Sequence, residues 1–133
     1  MTRPLRILLV EDHADTQQIM RRLLQTFQYE VKTASSIASA LALADAQEFD
    51  LVITDLGLPD GSGYALAEEE RAAFGPQRPL LIAITGLYRE DREKPLFKSI
   101  GFDHFLTKPF EISALLKMIE PRRLPRAATD SAA

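Results

Sequence analysis

The chain contains no cysteine and no tryptophan. Without thiols there is no disulfide framework and no thiol catalysis, and a reducing compartment suits the composition. Long apolar runs are missing too. No stretch approaches the roughly 20 residues a membrane span needs. The start, Met1-Thr2-Arg3-Pro4, lacks the apolar follow-on of a signal peptide. A cytoplasmic location without membrane insertion is therefore expected. Neither sign of charge dominates: 16 basic residues face 19 acidic ones, for a net charge of -3. Phosphate backbones require a concentrated basic face, so direct nucleic-acid binding is not expected. What is present is 46% hydrophobic residues in a chain of 133. That is enough for one domain with a full-sized core.

The apolar residues fall in two rhythms. Leu5 to Val10 (LRILLV), Leu51 to Thr54 and Leu80 to Ile84 (LLIAI) are short unbroken runs. Such runs suit parallel strands buried on both faces. Tyr29 to Ala34 alternates weakly and suits an edge strand, and His104 to Thr107 is a fifth short strand. Between them lie helical patterns. Asp15 to Phe27 spaces Ile19, Met20, Leu23, Leu24 and Phe27 as on a helix. Ser35 or Ser36 can cap a second helix running to about Glu48. Further helices are expected at Tyr64 to Phe74, roughly Glu90 to Ile100, and Glu111 to Glu120. Pro121 onward has no apolar period and reads as a disordered tail or linker end, which leaves residues 1–120 as the folded domain. Five strands alternating with five helices predict a single doubly wound α/β domain.

In open parallel sheets, ligands bind at the carboxyl ends of the strands. Here the first strand is followed by Glu11-Asp12, the third ends at Asp55, the fourth at Thr85-Gly86, and the fifth at Lys108-Pro109. One charged residue after a strand is ordinarily a solvated loop start. Four strands of five ending this way is a different matter. Three crowded carboxylates raise one another's pKa. A hard divalent cation relieves the repulsion, and Mg²⁺ typically takes one or two carboxylates plus a phosphate. A lysine supplies a point charge for phosphoryl oxygens, and a threonine hydroxyl can donate to the same group. A carboxylate can also attack phosphorus, giving an aspartyl phosphate. Phosphoryl transfer asks for little more than positioning and charge stabilisation. The loop after Asp55 carries Gly57, Pro59, Asp60, Gly61 and Gly63, which is turn chemistry.

The segments LLVEDHAD (8–15), LVITDLGLPDGSGY (51–64), AITG (83–86) and FLTKPF (105–110) resemble, in that order, the receiver domain of two-component response regulators. The resemblance spans about residues 5 to 120, and the loops look most like receivers attached to hybrid histidine kinases. It implies a flavodoxin-like (βα)5 fold with a five-stranded parallel sheet in the order 2-1-3-4-5. It implies that Asp55 accepts a phosphoryl group from a histidine kinase or histidine phosphotransfer protein. Asp12 and Asp55 would touch Mg²⁺, with the Gly57 backbone carbonyl as a further ligand and Glu11 acting through water. Thr85 and Lys108 would contact the phosphoryl oxygens. Thr85 and Phe105 would form the switch, Phe105 standing where the family often has tyrosine. The Lys108–Pro109 bond would be cis. The family's output surface, helix four to helix five, would respond to phosphorylation.

Two features depart from the family pattern. Pro95 falls inside the expected fourth helix, where proline costs about 3 kcal/mol or more. That helix should start near Lys94 or Pro95, or be kinked. Leu87 and Gly57 stand where the family's hydrolytic water passes, and neither side chain can orient it, so self-dephosphorylation should be slow. His13 and His104 read as incidental. Arg122, Arg123 and Arg126 read as a solvated linker end.

Other classes fit less well. A haloacid-dehalogenase-type phosphatase needs a second acid two residues after the nucleophile, where this chain has Gly57. A flavodoxin-like electron carrier needs a hydroxyl- and glycine-rich phosphate loop after strand one, where Glu11-Asp12-His13 would repel phosphate. A receiver used only as an interaction module remains the alternative, although Asp12, Asp55, Thr85 and Lys108 are all present. No output module is expected after residue 120, so output would come through protein contacts or from a larger protein.

Overall fold

The computed structural model describes residues 4–58, 61–62, 79–85, 102–108 and 111–120. Five strands form one parallel sheet: β1 (Arg6–Val10), β2 (Glu30–Ala34), β3 (Leu51–Asp55), β4 (Leu80–Thr85) and β5 (His104–Thr107). Their order is β2-β1-β3-β4-β5, as expected, with β2 at one edge. Helix α1 (Ala14–Thr26) links β1 to β2, and α2 (Ile37–Ala46) links β2 to β3. A last described helix covers residues 112–120. The helices expected near 64–74 and 90–100, the neighbourhood of Pro95 and the 121–133 tail lie outside the described residues.

The unbroken apolar runs divide their side chains between two cores, because successive strand residues point to opposite faces. Leu8, Val10, Val52, Leu81 and Ala83 pack on one face with Ile37 and Ala40 of α2 and with Phe102. Ile7, Leu9, Leu51, Ile53, Ile82 and Ile84 pack on the other face with Met20 and Leu24 of α1 and with Leu115 and Ile119. Each helix thus seals one face of the sheet. Both faces are covered, as parallel sheets require.

Strand starts are fixed by acids. The Asp50 carboxylate accepts from the Arg6 N–H at 2.8 Å. The Asp103 carboxylate accepts from the Leu81 N–H at 2.8 Å. Helix α2 begins with a reciprocal cap: Ser36 Oγ accepts from the Ser39 N–H at 3.1 Å, and Ser39 Oγ accepts from the Ser36 N–H at 3.2 Å. This satisfies two donors that a helix start leaves free.

Two local features shape the end of the third strand. β3 extends the apolar run Leu51 to Thr54 by one residue, to Asp55, which pairs with Ile84, so the strand ends at the acid as expected. The glycine-bearing loop after it contains two short antiparallel strands, Gly57–Leu58 and Gly61–Ser62. Leu58 is buried against the α2-side core, which ties this loop to the sheet.

Candidate functional site

Parallel register brings the carboxyl ends of β1, β3, β4 and β5 to one edge of the sheet. Val10 lies beside Thr54, Asp55 beside Ile84, and Thr85 beside Thr107. The residues just past Val10 and Thr107 are Glu11 and Lys108. Glu11, Asp12 and Asp55 each offer a carboxylate oxygen, and these lie within 4.8 Å of one another. Glu11 is buried, Asp55 half-buried and Asp12 exposed. Lys108 Nζ donates to Asp55 Oδ2 at 2.8 Å and to Glu11 Oε1 at 3.2 Å. The ammonium spans 97 positions of sequence to meet Glu11. Only the folded sheet makes that meeting.

The electrostatics follow from this crowding. Burial raises the pKa of the Glu11 carboxyl above the usual glutamate range, and the neighbouring Asp55 carboxylate pushes the same way against Lys108. For Lys108, burial alone would lower the pKa. Its bonds to Asp55 and then Glu11 outweigh burial and hold the ammonium above the usual lysine value. One cation therefore serves two of three acids. Glu11 Oε2 is buried with no hydrogen-bond partner among the described residues. A buried oxygen left without a donor is costly. An all-oxygen cluster with one such atom fits a hard divalent cation and its waters.

The loop holding the acidic pair is anchored on both sides of Glu11. Its N–H donates to the Ala34 carbonyl at 2.9 Å. Its carbonyl accepts from Gln17 Nε2 at 2.7 Å. Gln17 also reaches the Ala34 carbonyl at 3.2 Å and Ser35 Oγ at 3.3 Å. Gln17 is not among the sequence-derived site residues, because the α1 pattern speaks only through its apolar spacing. The available signal was a long amide one turn into a helix that starts just past the acidic pair.

Four of the expected site residues meet here: Glu11, Asp12, Asp55 and Lys108. Thr85 ends β4 in register with Thr107, two positions beyond the Ala83–Phe105 pair. Phe105 is half-buried and packs against the α2-side core. Gly57 opens the short strand after Asp55. Pro109, and with it the geometry of the Lys108–Pro109 bond, lies outside the described residues, as does Leu87. His13 precedes α1 as an exposed residue and makes no side-chain cap. His104 starts β5.

A family profile described as response regulator receiver domain matches residues 7–120. The chain belongs to this family. Receiver domains of known structure superpose closely on it. The chemotaxis response regulator CheY4 of Vibrio cholerae has a TM-score of 0.81 at 28% identity, over 90% of this chain and 98% of that one. The non-phosphorylated HemR receiver domain of Leptospira biflexa has a TM-score of 0.78 at 31% identity, over 89% of this chain and 93% of that one. Among curated proteins, the virulence sensor protein BvgS of Bordetella pertussis is 37% identical over 84% of this chain, and the matched part is 9% of its own length. The aerobic respiration control sensor protein ArcB of Escherichia coli K12 is 32% identical over 87% of this chain and 15% of its length. This receiver chain thus corresponds to a small fraction of those two sensor proteins. Among the described residues, no helix is long and apolar enough to cross a membrane.

Proposed function

We propose that the chain is a phosphoacceptor receiver, with Asp55 as the acceptor and a histidine kinase or histidine phosphotransfer protein as the donor. The observation that carries this reading is the bridge from Lys108 to Asp55 and Glu11 within the three-acid cluster at the strand ends. An Asp55 carboxylate oxygen attacks phosphorus on a donor phosphohistidine. The new O–P bond forms as the N–P bond breaks, and the departing imidazole nitrogen keeps the electron pair and takes up a proton. Asp12 and Asp55, with the Gly57 carbonyl, would hold Mg²⁺, and Glu11 would act through water. The metal supplies charge neutralisation for the incoming phosphoryl group. Lys108, which bonds Asp55, would follow the new oxygens, and Thr85 would donate from the end of β4.

The added group brings nearly two negative charges to the end of β3. That charge would draw Thr85 and Lys108 and free Phe105 to turn inward, switching the surface around helix four, β5 and helix five. With Gly57 and Leu87 unable to orient water, the phosphorylated form should decay slowly. The cytoplasm, where such donors act, is the proposed location.

The test is intact-mass measurement after incubation with acetyl phosphate and Mg²⁺. Wild type should gain one phosphoryl group, stable in acid and lost in base or hydroxylamine, and Asp55→Ala should gain none. Equal labelling of both proteins would remove Asp55 as the acceptor. Absence of labelling, together with no Mg²⁺-dependent binding of fluoroberyllate, would favour an interaction module that works unmodified.

A further inference from the structure

We infer that Gln17 is a positioning residue for the acidic site: it sets the aim of Asp12 and thereby the affinity for the divalent cation. The inference rests on the receiver reading above. Its basis is the peptide unit joining Glu11 to Asp12. The oxygen of that unit accepts from Gln17 Nε2 at 2.7 Å, the short end of the range for such bonds. A peptide unit is planar. Pinning its oxygen therefore fixes the rotation of the plane, and with it the direction in which Asp12 leaves the strand end.

The other side of Glu11 is held as well, by its N–H on the Ala34 carbonyl. That carbonyl also accepts from Gln17. One amide group thus fastens the acidic loop to the end of the neighbouring strand β2 and to Ser35 at the threshold of α2. Gln17 itself sits in the first turns of α1, a rigid element whose Met20 and Leu24 are buried against the sheet. It is half-exposed and touches no acidic side chain through these bonds. Asp12 is the acid most in need of such help, because it is exposed and lies beyond the β1 pairing. Glu11 has burial and Lys108 to hold it. Among the described residues, neither burial nor the Lys108 ammonium holds Asp12, which leaves the orientation of its backbone.

The role needs a donor, not merely bulk. Gln17→Met keeps length and helix propensity but removes both N–H groups. Gln17→Lys restores donors on a chain of similar reach. Mg²⁺ titrations by calorimetry, on the unphosphorylated protein, read the effect directly. Removing groups that orient metal ligands commonly weakens affinity 10- to 100-fold. Gln17→Met should bind Mg²⁺ about tenfold more weakly than wild type, and Gln17→Lys should recover most of the loss. Amide hydrogen exchange without metal gives a second readout: the Glu11 and Asp12 amides should exchange faster in Gln17→Met, while those of Ile53 and Leu81 hold. If wild type binds Mg²⁺ and Gln17→Met binds equally well, the positioning role is overturned and the receiver reading stands. If wild type itself binds no Mg²⁺, the phosphoacceptor reading fails and takes this inference with it. A loss of Mg²⁺ affinity accompanied by faster exchange throughout the sheet would show general destabilisation and overturn the role too.

Discussion

Asp12 carries the clearest prediction at the scale of a single residue. It is the exposed member of the acid cluster, and among the described residues Lys108 bonds the other two acids and not this one. In the absence of metal its charge is a cost, since like charges at this separation repel. Asp12→Ala should therefore raise the melting temperature in EDTA, by the few degrees that roughly 1 kcal/mol produces in a domain of this size. Mg²⁺ should reverse the ranking. A ligand that binds only the native state at one hundred times its Kd stabilises by about 2.7 kcal/mol. Wild type should show a gain of that order under those conditions, and Asp12→Ala little or none. Thermal melts of both proteins with EDTA and with Mg²⁺ check this; an Asp12→Ala protein that gains as much from Mg²⁺ as wild type would remove Asp12 from the metal site. At this scale the sequence was readable because the strand-end rule turns separate acids into neighbours. Glu11, Asp12, Asp55 and Lys108 are scattered in the chain and converge only through register. Gln17 was not readable in that way. Its bonds go to backbone carbonyls, and nothing in its residue type announces them.

At the scale of elements, α1 and α2 make different demands. α1 turns Met20 and Leu24 inward and leaves Ile19, Leu23 and Phe27 on the surface, at 60%, 38% and 41% exposure. The helical period identified both sets as apolar but did not say which would be covered. Only the position of the sheet decides that. The exposed three recur every fourth residue, two along a helix that starts beside the acidic pair and the third, Phe27, at its C-cap. Under the proposed reading, a donor protein reaching Asp55 would approach the end of the domain where α1 begins, and Ile19 and Leu23 would offer it apolar area on that helix. Ile19→Glu combined with Leu23→Glu should leave stability within about 1 kcal/mol, as surface substitutions do. Labelling by acetyl phosphate should be unchanged, while transfer from a phosphorylated donor protein should slow at least tenfold. Equal transfer rates would place the donor elsewhere. α2 depends on its cap instead. Ser36→Ala removes the oxygen that receives the Ser39 N–H and should cost about 1 kcal/mol in urea unfolding. The choice between Ser35 and Ser36 was open in the sequence, because either serine can accept; the structure gives the role to Ser36. The short strands after Asp55 were invisible for another reason. Two residues cannot show a period, and glycine there reads as a turn.

Over the whole molecule, each layer of the fold was legible as far as it rests on long apolar runs. Unbroken LRILLV and LLIAI mean burial on two faces, and the structure distributes their residues between two cores. The alternating β2 had to lie at an edge, where Glu30 and Lys32 meet water. The sheet is also chemically polarised. Acids at its starting end, Asp50 and Asp103, are engaged by backbone amides. At its finishing end, Glu11 and Asp55 share one lysine. A cation added to the protein should therefore settle at one end only, and shifts on titration with Mg²⁺, followed by backbone amide resonances, should concentrate at residues 11–13 and 54–57 and spare 50 and 103. Comparable shifts at both ends would contradict this polarity.

The Tyr29 hydroxyl meets the Glu120 carboxylate at 3.4 Å, and the next residue, Glu30, donates its N–H to the Leu5 carbonyl at 2.9 Å. Residues 5 and 120 thus lie together at the start of the sheet, a strand's length of roughly 17 Å from Asp55. Both doors of the domain open on the same wall, and the reactive edge is the wall across the room. Chain passing through these two points enters and leaves the described fold at the wall away from the acidic cluster.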